Sequence, residues 1–446
     1  MLIPNHTPET EPTINVGIIL PEDNITNINL TFPGQSGYDL IADGKQYSIE
    51  TGSALSVTLD VNGISCRINH DEIIAAEFVF SSKESTADPK TKSGIKAGPV
   101  IAGRGFHWQK NIEVFLPDTI ILRIVNDKLI LINQLPLEHY VMCVSTSEMS
   151  AACPEAMIEA QTIAARSWLL ANVEQKHRDL DMDVCNDDCC QRYQGTTYLS
   201  QQSVRGALNT NGQVLLYNNT ICDARYSKSC GGMMETFGAI WPGHEEDYMK
   251  NIPDSKHPLP DLKTPLSSES NVDSWIQAVP DTFCSPHTIN ESELKKYLGN
   301  VDEEGSYFRW QISLTNQEIS QSLQKYAGLD VSEIISFKVL SRGGSGRINK
   351  LEVVYSDSSG KMKVFTIDSE YNVRRFLSDK FLYSSAIVIS SAKKKDDTSI
   401  FQIKGAGWGH GVGLCQIGAL GMSLKGYQTS EILYHYYPGS HLKKIY

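Results

Sequence analysis

LEHYVMCVSTSEMSAACPEAMIEAQTIAARSWLL, residues 137 to 170, passes from apolar and small hydroxylated residues into the clearest helical signal in the chain. Pro154 suits a first helical turn, because the N–H it lacks is one the helix would leave unpaired. Glu155 beside it meets the positive end of the helix dipole. Ala156, Ala160, Ile163, Ala164 and Ala171 follow at helical spacing and are small enough for tight packing. The stretch predicts a well-packed helix from about Pro154, with Glu148 just ahead of it.

Upstream of that helix the pattern changes to a period of two. INVGIIL, YDLIADG and SALSVTLDV are short alternating runs separated by Gly, Asn, Asp and Pro, and they predict an N-terminal β-rich domain over residues 14–80 after a polar tail, 1–13. Residues 81–99, SSKESTADPKTKSGIKAGP, read as a linker or loop. GFHWQKNIEVFLPDTIILRIVNDKLILINQLPLEHYV then returns to strands, which resume at 348–354 and 386–389, and a last helix is expected at about 430–436. Residues 250–335 are polar, contain the helical QEISQSLQKYAG, and look like an insertion. The fold class is therefore α+β: the β-rich domain, then a mixed α/β domain over 100–446 interrupted at about 250–335.

Composition narrows the function. A chain of 446 residues, 41% apolar and 21% charged, is ordinary globular material, long enough for two or three domains. A net charge of -12 and a pI near 5.4 supply no basic field for a polyphosphate, so no nucleic-acid partner is expected. No apolar run approaches the roughly 18 to 20 residues that span a bilayer, and no membrane span is expected in this chain. MLIPNHTPETEPTINV has neither a basic n-region nor an apolar h-region, which places the chain in the cytoplasm or a leader outside this sequence.

Four constellations could carry chemistry. Glu148, among Ser145, Thr146, Ser147, Met149 and Ala151, is either a general acid raised in pKa by partial desolvation or a carboxylate capping the approach to the helix. Arg166 either holds a substrate group or pairs with an acid. In HRDLDMDVCNDDCCQRYQG, residues 177–195, Cys185, Cys189 and Cys190 with His177 have the ligand types of a tetrahedral zinc site. A disulfide from Cys185 to one of the other two is an equal alternative. Asp183, Asp187 and Asp188 lack EF-hand spacing. SKSCGG, residues 227–232, places Cys230 on a turn without assignable triad partners, more consistent with a small buried residue than a nucleophile. Finally, GAGWGHGVG, residues 405–413, alternates glycine with Ala406, Trp408, His410 and Val412. If extended, it bares one face for close approach, and His410 taken alone reads as a core histidine.

Together and in order, the 137–170 stretch, DVCNDDCCQRYQG, SKSCGGMMETF with Trp241, SGRINKLEVV and GAGWGHGVGLCQIGALGMSLKGYQTSEILYHYYPGS resemble the stage II sporulation protein D family, also called SpoIID/LytB. The resemblance covers most of 100–446 outside the insertion. It implies a lytic transglycosylase that cleaves the MurNAc–GlcNAc bond of peptidoglycan, on glycan strands stripped of stem peptides, leaving anhydro-MurNAc ends. The family's catalytic glutamate, in its S-E-M segment, falls on Glu148. Gln191, Tyr193, Ser229, Gly231, Gly232, His410 and Gln416 look similar to cleft-lining segments and, with Arg166, are the expected substrate-binding residues. Relatives with a metal use a stretch ending in H-C-Q. Here it is Cys189-Cys190-Gln191, which implies structural Zn2+ held by Cys185, Cys189, Cys190 and His177. Ser227 and Met234 depart from the family's common histidine and threonine.

The implied partners are peptidoglycan glycan strands, with a cell-wall amidase or other wall-remodelling proteins, and the implied location is the cell envelope. Two other classes remain open on sequence. One is a non-catalytic wall-binding or amidase-activating module, which would tolerate Glu148→Gln. The other is a redox protein using Cys189 and Cys190.

Overall fold

The computed structural model describes residues 1–446 apart from 5, 84–88, 172, 242, 300–304 and 394–398, so part of the expected 81–99 linker and of the 250–335 insertion lies outside the described residues. The fold is α+β, as the alternation of periods predicts. The chain divides into two compact units. The first is Met1–Asp223, Leu298–Asn300 and His441–Tyr446; the second is Ala224–Tyr297 and Val301–Ser440.

The first unit holds two large sheets. One runs, edge to edge, through Val184–Cys185, Thr13–Ile19, Lys128–Pro136, Thr119–Val125, Glu77–Ser82, Tyr38–Ala42 and Lys45–Ile49. The other runs through Lys110–Leu116, Ile95–Ala102, Asn27–Thr31, Ala54–Asp60, Gly63–Ile68 and Asp71–Ala75. Strands from either side of residues 84–88 pair in both sheets, as Ile120 opposite Phe80 and Thr31 opposite Lys96 show. The alternating residues Ile28, Leu30, Phe78, Phe80, Ile120 and Leu122 are buried, as the period of two requires.

Strand Lys128–Pro136 runs directly into helix α1, Leu137–Glu148, which the sequence pattern read partly as strand. Every residue of α1 is buried. A helix buried all round shows no 3.6-residue alternation, and this is why the pattern missed it. Pro136 stands at its N-cap without a side-chain cap. The first helical N–H groups are instead met by the N-terminal segment: Leu137 N donates to the Pro12 carbonyl at 3.0 Å and Glu138 N to Glu11 Oε1 at 2.8 Å. The buried hydroxyls of α1 are satisfied one turn back, Ser145 on Val141 O and Ser147 on Cys143 O.

Helix α2, Glu155–Ala171, begins where Pro154 indicates and buries Ala160, Ile163, Ala164 and Ala171. Ser145 Oγ meets Thr162 Oγ1 at 2.8 Å, tying α1 to α2. Helix α3, Gln201–Asn209, packs on both.

The second unit is built on two three-stranded sheets, Arg309–Thr315/Ser399–Ala406/Ile387–Lys393 and Glu333–Arg342/Ile348–Ser356/Met362–Asp368. Its core gathers Trp310, Ile319, Leu323, Ile348, Leu351, Val353, Phe401 and Ile403. Residues 309–335 of the expected insertion thus contribute a strand and the helix Asn316–Ala327 to this core. That helix is capped by the Thr315/Glu318 box and ended by Gly328 in the left-handed region. The last helix, Thr429–Tyr436, lies where the sequence places it.

Candidate functional site

In the first unit, Glu148 is the last residue of α1, and only 8% of it is exposed. Its Oε1 accepts the Arg192 backbone N–H at 3.2 Å, so the segment that carries the cysteines also orients the carboxyl. That segment is locked to the helices by two neighbours of Arg192. Gln191 accepts from the Tyr140 hydroxyl at 2.9 Å and donates to the Ala165 carbonyl at 3.2 Å. Tyr193 stacks on Tyr140 with ring centroids 5.3 Å apart and donates to Asn133 Oδ1. Burial pushes both phenols well up, so they stay neutral donors.

Arg166 is fully buried and faces other protein groups. Its Nε and Nη2 donate to Glu138 Oε1 and Oε2 at 2.9 and 2.6 Å, and Nη1 reaches the Gln213 carbonyl at 3.1 Å. Of its two sequence readings, this is the geometry of pairing with an acid.

His177, Cys185, Cys189 and Cys190 bring one ligand atom each to within 4.8 Å of one another, close enough to hold one metal ion. Cys185 Sγ lies 3.0 Å from Cys189 Sγ, and Cys189 Sγ lies 3.7 Å from His177 Nε2. Hydrogen bonds from the Cys185 and Cys190 thiols, helped by His177, hold the Cys189 thiol well below its usual range. Cys185 is pushed up in return. Three thiols and an imidazole are a donor set that suits zinc. The neighbouring aspartates are occupied otherwise: Asp183 accepts from Leu2 N and Asn15 N, Asp187 from Gly103 N and Arg104 N, and Asp188 from Arg192 Nε and Trp108 Nε1.

Ser229, Gly231, Gly232, His410 and Gln416 belong to the second unit. There the structure brings two sequence motifs side by side. Ser229 and Trp408 exchange backbone hydrogen bonds at 3.0 and 2.8 Å, and Glu235 N donates to the Gly411 carbonyl at 2.9 Å. Tyr226–Ser227 pairs in parallel with Leu414–Cys415, and Gln416 opens the helix that follows.

The glycine stretch is a strand only as far as Ala406. Beyond it, Gly407, Gly409, Gly411 and Gly413 all have positive φ, 76°, 95°, 75° and 70°. Each second residue is thus left-handed, so the chain winds as a ribbon and no flat glycine face forms. A Cβ on Gly407 would lie 2.7 Å from the Ser229 carbonyl oxygen, and one on Gly231 would lie 2.7 Å from Gly407 N. The glycines here are required by the approach of two backbones.

His410, on this ribbon, is half-buried and packs edge-on to Trp241 at 4.9 Å. Val412 N donates to its Nδ1 at 3.1 Å, which leaves the ring proton on Nε2. Burial, with the charges of Arg225, Arg347 and Arg374, pushes its pKa down to about 3, so the ring is neutral.

Sequence reading missed two buried residues that hold this ribbon. Arg347 donates from Nε and Nη2 to the Gly409 carbonyl, each at 3.1 Å. Glu235, wholly buried, accepts from Gly344 N, Ser345 N and Ser345 Oγ. The available signal was SGRINK, read only as part of a resemblance. A cleft of about 590 Å3 in the same unit, lined by Ile312, Glu318, Lys325, Asp379 and Tyr383 among others, contains none of the expected site residues.

Among known families, residues 125–217 match the model described as stage II sporulation protein, and residues 235–413 match a domain of unknown function. The chain is 28% identical over 302 residues to an amidase enhancer of Bacillus subtilis strain 168. That match covers 66% of this chain and 39% of the relative's own length. It is 23% identical over 389 residues to the stage II sporulation protein D of the same organism, covering 83% and 91% of the two chains. It is 22% identical to that of Bacillus amyloliquefaciens, covering 69% and 74%.

Proposed function

Because the chain belongs to the SpoIID family, we propose that it is a peptidoglycan lytic transglycosylase of the cell envelope, with Glu148 as its single acid and base. The observation that carries the reading is the placement of Glu148: a carboxyl at the end of a wholly buried helix, oriented by the Arg192 N–H from the segment that also carries Gln191 and Tyr193. As acid, Glu148 protonates the glycosidic oxygen. As base, it then takes the proton of the muramic-acid primary hydroxyl, which attacks the anomeric carbon and closes the anhydro ring. An intramolecular nucleophile removes the need for the second carboxylate of an ordinary glycoside hydrolase. Zinc on His177, Cys185, Cys189 and Cys190 would brace the 185–193 segment and supply no chemical step. Arg166 holds α1 against α2. Gln191, Tyr193, Ser229, Gly231, Gly232, His410 and Gln416 enter the proposal as residues of glycan-contacting segments.

Glu148→Gln keeps the side chain's shape and removes the titrating proton. It should lower release of anhydro-MurNAc products from denuded peptidoglycan by about 10²-fold or more, with circular dichroism unchanged. Full activity in that variant would overturn the assignment. A second reading follows from the amidase-enhancer relative: a module that binds glycan and stimulates an amidase. It is favoured if the parent chain produces no anhydro ends and Glu148→Gln stimulates a wall amidase as well as the parent does.

A further inference from the structure

Four side chains of the second unit have no part in that function. Cys230, Asp254, Cys284 and Cys415 come from four separate segments, all are buried, and their ligand atoms all lie within 4.8 Å of one another. Cys230 Sγ and Cys284 Sγ are 3.7 Å apart. A tetrahedral ion with metal–sulfur bonds of about 2.3 Å has sulfur–sulfur edges of about 3.8 Å. We propose that Cys230, Asp254, Cys284 and Cys415 form a second structural metal site, a Cys3Asp site for one zinc ion, independent of the cluster at His177.

The surroundings of these groups support the assignment. Asp254, with 0% exposure, has both oxygens oriented: Oδ1 accepts from the Tyr436 hydroxyl at 2.8 Å and faces His435 Nε2 at 3.3 Å, and Oδ2 accepts Cys284 N at 3.1 Å. Outer contacts of this kind fix a carboxylate for coordination. Cys415 is the N-cap of the nine-residue helix Gln416–Leu424, and its sulfur accepts two backbone N–H bonds, from Cys230 at 3.2 Å and Gly418 at 3.3 Å. Those donors favour the thiolate that a metal needs. Arg309, which donates to the Gly231 carbonyl at 2.8 Å and interacts electrostatically with Cys230 and Cys284, offsets part of the site's negative charge.

A disulfide between Cys230 and Cys284 would use two of the four groups and leave the Cys415 sulfur and the Asp254 carboxylate, which lie within the same 4.8 Å, outside the bond. One ion uses all four. Binding is a simple exchange in which three thiol protons leave as three sulfur–metal bonds form, with no change of oxidation state. The set escapes sequence inspection because its members are separated by 24, 30 and 131 positions, as the numbers 230, 254, 284 and 415 show.

The test removes the first cluster from the full chain with Cys185→Ser, Cys189→Ser and Cys190→Ser, then measures zinc by elemental analysis and cobalt(II) binding by absorption. One zinc per chain, and cobalt absorption of the tetrahedral thiolate type, are expected. A folded, metal-free triple variant in added zinc would overturn the proposal. In the native chain, Cys230, Cys284 and Cys415 should alkylate about 10-fold slower when zinc-loaded than after chelation, read by peptide mass. Equal rates, or a Cys230–Cys284 disulfide in the unreduced chain, would also overturn it. Tyr436→Phe, which removes only the hydroxyl on Asp254, should weaken zinc affinity by about 10-fold; unchanged affinity would remove Asp254 from the ligand set.

Discussion

Replacing Arg166 with methionine separates the two roles its sequence position allows. In the folded first unit the guanidinium makes a two-point pair with Glu138, joining α2 to α1, and Glu138 also accepts from Gly212 N at 3.3 Å and the Tyr446 hydroxyl at 2.8 Å. Methionine fills much of the side-chain stem but leaves the Glu138 carboxylate buried without its cation. Removing one partner of such a pair costs about 3–5 kcal/mol, mostly the desolvated charge left behind. For a unit of about 230 residues, each kcal/mol shifts Tm by about 2–4 °C. The transition of the first unit should therefore fall by about 6–20 °C in calorimetry. Adding Glu138→Leu removes the stranded charge and should recover most of the loss, because an apolar pair of similar volume is tolerated in such places. A single variant melting within about 2 °C of the parent, but failing to bind glycan, would refute the argument and return Arg166 to substrate contact.

Two other outcomes follow from the second unit. With a folded pKa near 3 against the usual 6.5, His410 takes up its proton in the unfolded chain first, so its contribution to stability is present above pH 6.5 and lost as pH falls toward 3. Thermal melts should show a fall across that window that is shallower in His410→Gln; an identical pH profile would contradict the neutral ring. Gly407→Ala, with φ 76° and a Cβ 2.7 Å from the Ser229 carbonyl, should cost more than the roughly 1–2 kcal/mol of a left-handed alanine alone. Gly360→Ala, at φ 81° with nothing within 4 Å, is the control. Equal losses of Tm in the two variants would mean that the ribbon can yield.

Local chemistry made much of the molecule readable. Pro154 and Glu155 announced α2, period-two alternation announced the strands, and adjacent cysteines with an upstream histidine announced a cluster of metal-binding residue types, because each signal depends on neighbours in the chain. Helix α1 was hidden for the opposite reason: burial on every side erases the alternation that reveals a helix, and this helix ends in Glu148. The alternate glycines fit an extended strand as well as a ribbon, since only φ separates the two, and φ here is imposed by the facing 226–235 backbone.

The sequence by itself determined the α+β class, the start of α2, the residue types at Glu148 and the cysteine segment, and the family that their order resembles. Only the tertiary structure decided that Arg166 spends its charge on Glu138, that His410 is held neutral among arginines, and that Cys230 meets Asp254, Cys284 and Cys415. The physical reason is the same in each case. Ionisation, ligand geometry and burial depend on what lies across space, and residues far apart in the chain carry no local trace of the partner they will meet.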